Sequence, residues 1–168
     1  MPTNPSFDLA PFSLYILTYL ERPTYAPDAL HWVIYIYLEP AHGGMKLQIG
    51  QAGPRTTMLS THHGPIKDVT RQIGLIGAVR VARLAPGSYV GLNRICQQND
   101  DYINAVPGMN PRLYVAQTLE RLKSYGLIKC DDVEALLDEI RVWSNANQQS
   151  AVCAVFPRPV VDSVHCRF

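Results

Sequence analysis

The chain has 168 residues, 47% of them hydrophobic and 17% charged, and a formal net charge of +1. That size and balance suit one domain around one core and exclude a disordered chain. Lysine and arginine are scattered, so no nucleic-acid partner is expected, and no stretch approaches the roughly 18 apolar residues of a membrane span.

Residues 12–20, FSLYILTYL, are aromatic and β-branched and predict a strand, and residues 21–29, with Pro23 and Pro27, predict a connection. Residues 31–38, HWVIYIYL, are almost wholly apolar and predict a strand buried on both faces. After the Gly43-Gly44 turn, residues 46–51 predict a third strand, and residues 52–65 read as loop. Residues 72–84, QIGLIGAVRVARL, favour a further strand because they are β-branched and alternate toward their end.

From Ser88 the period becomes helical. A short helix is predicted over 89–98, then a loop over 100–109. A clear helix follows over 110–125, with Leu113, Val115, Ala116, Leu119 and Leu122 at helical spacing and Gly126 as its stop. Asp131 or Asp132 can cap a last helix to about Trp143. The tail beyond Asn145, with its apolar run 151–156 and then Pro157 and Pro159, reads as an edge strand or a surface wrap. Strands first and helices second is an α+β order, an antiparallel sheet against C-terminal helices, in a single domain over 1–168 with its core at about 12–143 and an extension over 144–168. The apolar first strand leaves room for a homo-oligomer.

The first ten residues lack a basic start leading into an apolar run, so no signal peptide is expected. The four cysteines, Cys96, Cys130, Cys153 and Cys166, show no CxxC spacing. They read as reduced thiols, and the expected location is cytoplasmic. His62-His63 does not predict a metal site, because neighbours on a strand point to opposite faces, and the pair reads as a solvated loop. No phosphate loop is present, and no metal or cofactor is expected.

Two segments carry a resemblance. His31-Trp32 opens the buried strand, and residues 110–128 read NPRLYVAQTLERLKSYGLI. Together they resemble small fungal proteins of the circularly permuted papain-like superfamily, which includes lecithin-retinol acyltransferase and bacterial cell-wall peptidases. The resemblance covers roughly residues 16–140. In that family a His-Trp pair starts one strand, a second strand carries another His, and a helix opens with Asn-Cys-Gln-Asp-Trp-Val. On these patterns His31, Trp32 and Asn110 are retained, the second His falls on Gln48, and the nucleophilic Cys falls on Pro111. The next positions hold Arg112, Leu113, Tyr114 and Val115.

A nucleophilic cysteine belongs at a helix N-terminus, where the dipole and free N–H groups lower its pKa. Proline suits the first helical position and Asn110 is a good N-cap, so the substitution keeps the helix start and deletes the nucleophile. His31 then has two readings: a packed structural histidine, or an acid/base group beside Gln48 in a cleft that Tyr35 and Tyr114 line. Each tyrosine can equally be core packing. The resemblance implies a repurposed enzyme acting on a small molecule without a thiol, by cyclisation, isomerisation or elimination, in fungal specialised metabolism. His31 would be catalytic, with Gln48, Tyr35, Asn110 and Tyr114 binding substrate. Two alternatives stay open: a non-catalytic binding protein, and a cysteine hydrolase using Cys96, a residue that the helical pattern places mid-helix and that otherwise reads as a buried inert thiol.

Overall fold

A computed structural model describes residues 8–21 and 26–168. It is an α+β fold built on a six-stranded mixed sheet. The strands, in chain order, are β1 (Ser13–Leu20), β2 (Leu30–Glu39), β3 (Gly43–Leu47), β4 (Ile49–Gln51), β5 (Leu59–Thr61), β6 (Gly64–Ile66) and β7 (Leu75–Arg83). Then come α1 (Tyr89–Cys96), a 3-10 helix (Asp100–Ala105), α2 (Pro111–Ser124), β8 (Lys129–Cys130), α3 (Val133–Val152), β9 (Val160–Asp162) and β10 (Cys166–Arg167). The main sheet runs β6-β3-β2-β1-β7-β9, with small pairs β4-β5 and β8-β10 beside it.

β1 and β2 sit at the centre of the sheet, which explains their nearly unbroken apolar sequences. Along β1, Leu14 and Ile16 join the core on the helical side, while Tyr15 and Leu17 join a second cluster on the opposite, outer side. Along β2, Trp32, Ile34 and Ile36 face the helices and Val33, Tyr35 and Tyr37 face outward. The outer cluster is closed by Leu9, Ile66, Val69 and Leu75, so the sheet is covered on both faces although helices lie on only one.

The antiparallel expectation holds for β6, β3, β2, β1 and β7 but not for the last strand. β9 lies parallel to β7, pairing Ala78, Val79 and Arg80 with Val160, Val161 and Asp162. It can do so because α3 carries the chain back along the sheet before it enters β9. Arg80 and Asp162 fasten the pair with a bidentate contact, Nε to Oδ1 and Nη2 to Oδ2, each 2.7 Å.

Both long helices start as their sequences direct. Asn110 Oδ1 accepts from the Leu113 N–H at 3.0 Å with Pro111 in the first turn, and Asp132 Oδ1 accepts from the Ala135 N–H at 3.1 Å. Gly126, at φ +70°, ends α2 by turning the chain so that the Gly126 and Leu127 N–H groups reach the Lys123 and Leu122 carbonyls.

Three expectations are corrected. The single strand over 46–51 is two, because the chain leaves the main sheet at Gln48 and continues as β4, paired with β5. The loop over 52–65 therefore contains β5 and most of β6, and that over 100–109 contains the 3-10 helix. The last helix does not stop near Trp143 but runs 20 residues to Val152. Its later turns bury Ser144 and Gln148, polar residues that hide the helical period from an apolar count. Ser144 is satisfied by Thr18 on β1, hydroxyl to hydroxyl at 2.8 Å. The tail does add an edge strand, at Val160–Asp162, after the run 151–156, which is the end of that helix and a turn.

Candidate active site

The site is set by register. β1 and β2 place Tyr19 directly opposite His31, with ring centroids 6.5 Å apart. Alternation puts His31 on the same side as Val33 and Tyr35, the outer side of the sheet. Lys46 on β3 pairs with Tyr35 and shares that face. Gln48 comes two residues later, where the chain changes sheets.

Gln48 is a junction. Its Nε2 donates to the His62 carbonyl at 3.1 Å, which fixes the amide, and its Oε1 then accepts from His31 Nε2–H at 3.1 Å. Its backbone N–H donates to His63 Nδ1 at 3.1 Å. His63 Nε2 in turn donates to Asp100 Oδ2 at 2.9 Å, and Asp100 Oδ1 accepts from the Tyr114 hydroxyl at 2.9 Å. A continuous chain of contacts therefore runs from the outer face through Gln48 to the first turn of α2.

The two imidazoles differ in what they can do. His63 has both nitrogens engaged, so it is an orienting group. His31 carries its proton on Nε2, and among the described residues its Nδ1 has no hydrogen-bond partner, so Nδ1 is the acceptor. Burial pushes the His31 pKa below its ordinary value; the bond to Gln48 opposes that and the charge of Lys46 adds to it. The ring is thus neutral at neutral pH and half-buried, as a general base requires. Burial also raises the phenols of Tyr19, Tyr35 and Tyr114, the last assisted by Asp100, so each remains a hydrogen-bond donor and not a phenolate.

The structure brings two of the expected site residues together, His31 and Gln48. Tyr35 and Tyr114 do not share a cleft: Tyr35 is fully buried in the outer cluster, stacked on Tyr37 at 5.9 Å, and Tyr114 is buried in the helical one. The sheet lies between them because residue 35 has the outward parity of β2. Asn110 spends its side chain locally, capping Leu113 and donating to the Gly108 carbonyl at 3.1 Å. Pro111 opens α2, which packs on the inner face through Tyr114, Val115 and Leu119.

His63 is also not the solvated residue that the His62-His63 pair suggests. One member of an adjacent pair turns inward, and the His63 side chain is 14% exposed against an Asp100 side chain at 17%. His62 contacts the Ser60 hydroxyl at 3.0 Å and the Gln51 carbonyl at 3.2 Å. Among the described residues no group of three histidine, cysteine or carboxylate side chains is placed to hold a metal ion, and no helix is long and apolar enough to cross a membrane.

Cys96 offers little as a nucleophile. It ends α1, is fully buried, and burial pushes its thiol up to about 12. The thiolate that attacks a carbonyl is therefore absent at neutral pH. Cys130 and Cys166 face each other across β8 and β10, and burial raises both.

The residues that sequence reasoning missed are Tyr19, Lys46, Gln72, His63 and Asp100. Lys46 Nζ stands 4.5 Å from the centre of the Tyr19 ring and donates to Gln72 Oε1 at 3.3 Å, the oxygen that also accepts the Tyr19 hydroxyl at 2.5 Å. Tyr19 was open to discovery, since it continues the outward parity of Tyr15 and Leu17. Asp100 lies in the polar run QQNDD, which carries no periodic signal. No family model, no curated protein and no solved structure matches this chain.

Proposed function

We propose that this protein is a thiol-independent enzyme of permuted papain-like ancestry that acts on a small molecule in the cytoplasm, with His31 Nδ1 as general base for a cyclisation, isomerisation or elimination. The observation that carries the reading is the His31–Gln48 contact of 3.1 Å, with the Gln48 amide itself fixed by the His62 carbonyl. Two positions that the resemblance aligns on the family's strand histidines, 17 residues apart in the chain, meet in space by this one bond. Gln48 cannot titrate, so it fixes the His31 tautomer without competing for the proton.

A base of this kind removes a proton from carbon or oxygen and, once protonated, returns it elsewhere on the same molecule or to a leaving group. The first two reactions conserve substrate mass and the third divides it between two products. The chemistry needs no covalent intermediate, which suits a helix start that holds Pro111 in place of a thiol.

The test is to incubate the protein with a soluble small-molecule extract and follow it by untargeted mass spectrometry. A substrate should convert to an isomer, or to an elimination product, with turnover about a hundredfold slower in His31→Ala. Because burial lowers the His31 pKa, activity should persist as pH falls to 6.5 and decline only below it. Equal conversion by wild type and His31→Ala would overturn the mechanism. A compound retained by the protein and recovered unchanged would instead identify a binding protein.

A further inference from the structure

Lys46 is a half-buried cation, and every ion pair among the described residues uses other cations. Among the described residues no side-chain carboxylate lies within ion-pair distance of it. What surrounds the ammonium is neutral: the Tyr19 ring and the Gln72 amide oxygen. That oxygen already accepts the Tyr19 hydroxyl, which pins the phenol beside the ammonium. Beside the same phenol, across the β1–β2 pair, is His31, with ring centroids 6.5 Å apart.

A partly desolvated ammonium without a counter-ion is costly, and a ligand anion that supplies one is correspondingly favoured. We infer that Lys46 and Tyr19 form the recognition half of the His31 site and take a substrate carrying one carboxylate on a flat unsaturated body. The carboxylate pairs with Lys46 Nζ, the body lies along the Tyr19 ring, and the reacting carbon comes within reach of His31 Nδ1. This inference rests on the reading of His31 as the base.

A phosphate dianion fits less well. Phosphate sites combine several donors, typically an arginine fork, a helix N-terminus or a cradle of backbone N–H groups, and the groups described around Lys46 supply one ammonium. The charge also couples the two halves of the site. Lys46 and His62 help to hold the His31 pKa down and Glu21 opposes them, so a carboxylate that neutralises Lys46 releases its part of the depression and makes His31 a stronger base when substrate is bound. Linkage requires the converse, that protonation of His31 strengthens carboxylate binding.

Benzoate and its neutral isostere benzamide are the probes, titrated by calorimetry at pH 7 and low salt, with inorganic phosphate as a third ligand. Benzoate should bind about tenfold or more tightly than benzamide, Lys46→Gln should remove that difference, and Lys46→Arg should keep most of it. The NMR titration midpoint of His31 should rise on saturation with benzoate and stay put with benzamide. His31→Ala should leave benzoate binding within about twofold while slowing substrate turnover about a hundredfold, so the failure of the catalytic reading and the failure of this one are separable. Equal affinity for benzoate and benzamide, no binding of benzoate, or unchanged benzoate affinity in a Lys46→Gln protein with a native circular dichroism spectrum would each overturn the inference. Phosphate binding more tightly than benzoate through Lys46 would overturn the carboxylate assignment.

Discussion

Gly77→Ala should be a severely damaging single-methyl change, costing about 3 kcal/mol of unfolding free energy, a large share of the 5–15 kcal/mol typical of a domain. Gly77 lies in β7, between β1 and the helix that covers it. A Cβ at this position would stand 2.3 Å from Cη2 of Trp143 on α3 and 2.7 Å from the carbonyl oxygen of Pro159. The indole could turn away, but the Pro159 oxygen is backbone and already accepts the Ala78 N–H at 3.1 Å, so it cannot retreat without opening the β7–β9 pairing. Urea unfolding measures the loss. Gly91→Ala is the internal control: Gly91 is exposed in α1 with nothing within 4 Å of a new methyl, and it should gain up to about 1 kcal/mol from helix propensity. If Gly77→Ala unfolds at the wild-type midpoint, the close packing of α3 on β7 is wrong.

Arg158→Ala should cost a similar amount, about 3 kcal/mol, although the residue lies outside every regular element. Arg158 is 1% exposed. Its Nη1 donates to the Ser150 and Val155 carbonyls at 2.7 Å each, and its Nη2 to the Ala151 carbonyl at 3.3 Å. Two of those oxygens belong to the last turn of α3, where they also accept the Val155 and Ala154 N–H groups at 3.0 and 3.2 Å. The guanidinium also lies 4.3 Å from the centre of the Phe156 ring. One side chain thus ends the long helix and aims the chain into β9. Arg158→Lys should recover only part of the loss, since an ammonium cannot fork between three carbonyls on two sides. A thermal midpoint for Arg158→Ala equal to wild type would show that the tail holds its place by backbone pairing alone.

Much of the architecture is readable in the sequence where one physical rule acts alone. The runs of β1 and β2 are nearly unbroken in apolar residues because both sheet faces are covered. Asn110-Pro111 and Asp132 start helices because capping is local. The reading fails where two rules compete. Ser144 and Gln148 look like tail residues, yet they sit on the buried side of α3, and the Thr18 hydroxyl that makes Ser144 tolerable there is 126 residues away in sequence. The parallel β9 cannot be foreseen from its three residues, because its pairing depends on the length of the helix before it.

The site divides in the same way. His31 and Gln48 were singled out by resemblance to a family pattern, and they touch. Tyr19 and Lys46 needed the registers of two strand pairs, which no local signal announces. Tyr114 was expected beside His31 but reaches it only through Asp100, His63 and Gln48. Asp100 could be recognised only once the 3-10 helix had carried it against β5 and the start of α2.

The central claim is that burial keeps His31 a neutral imidazole while Gln48 holds its proton on Nε2, which leaves Nδ1 available as a base. Nitrogen NMR of the imidazole across a pH titration tests it most directly. The account predicts an Nε2–H ring at neutral pH and a titration midpoint below the ordinary histidine value of 6.5. An Nδ1–H tautomer, or a midpoint at or above 6.5, would contradict it.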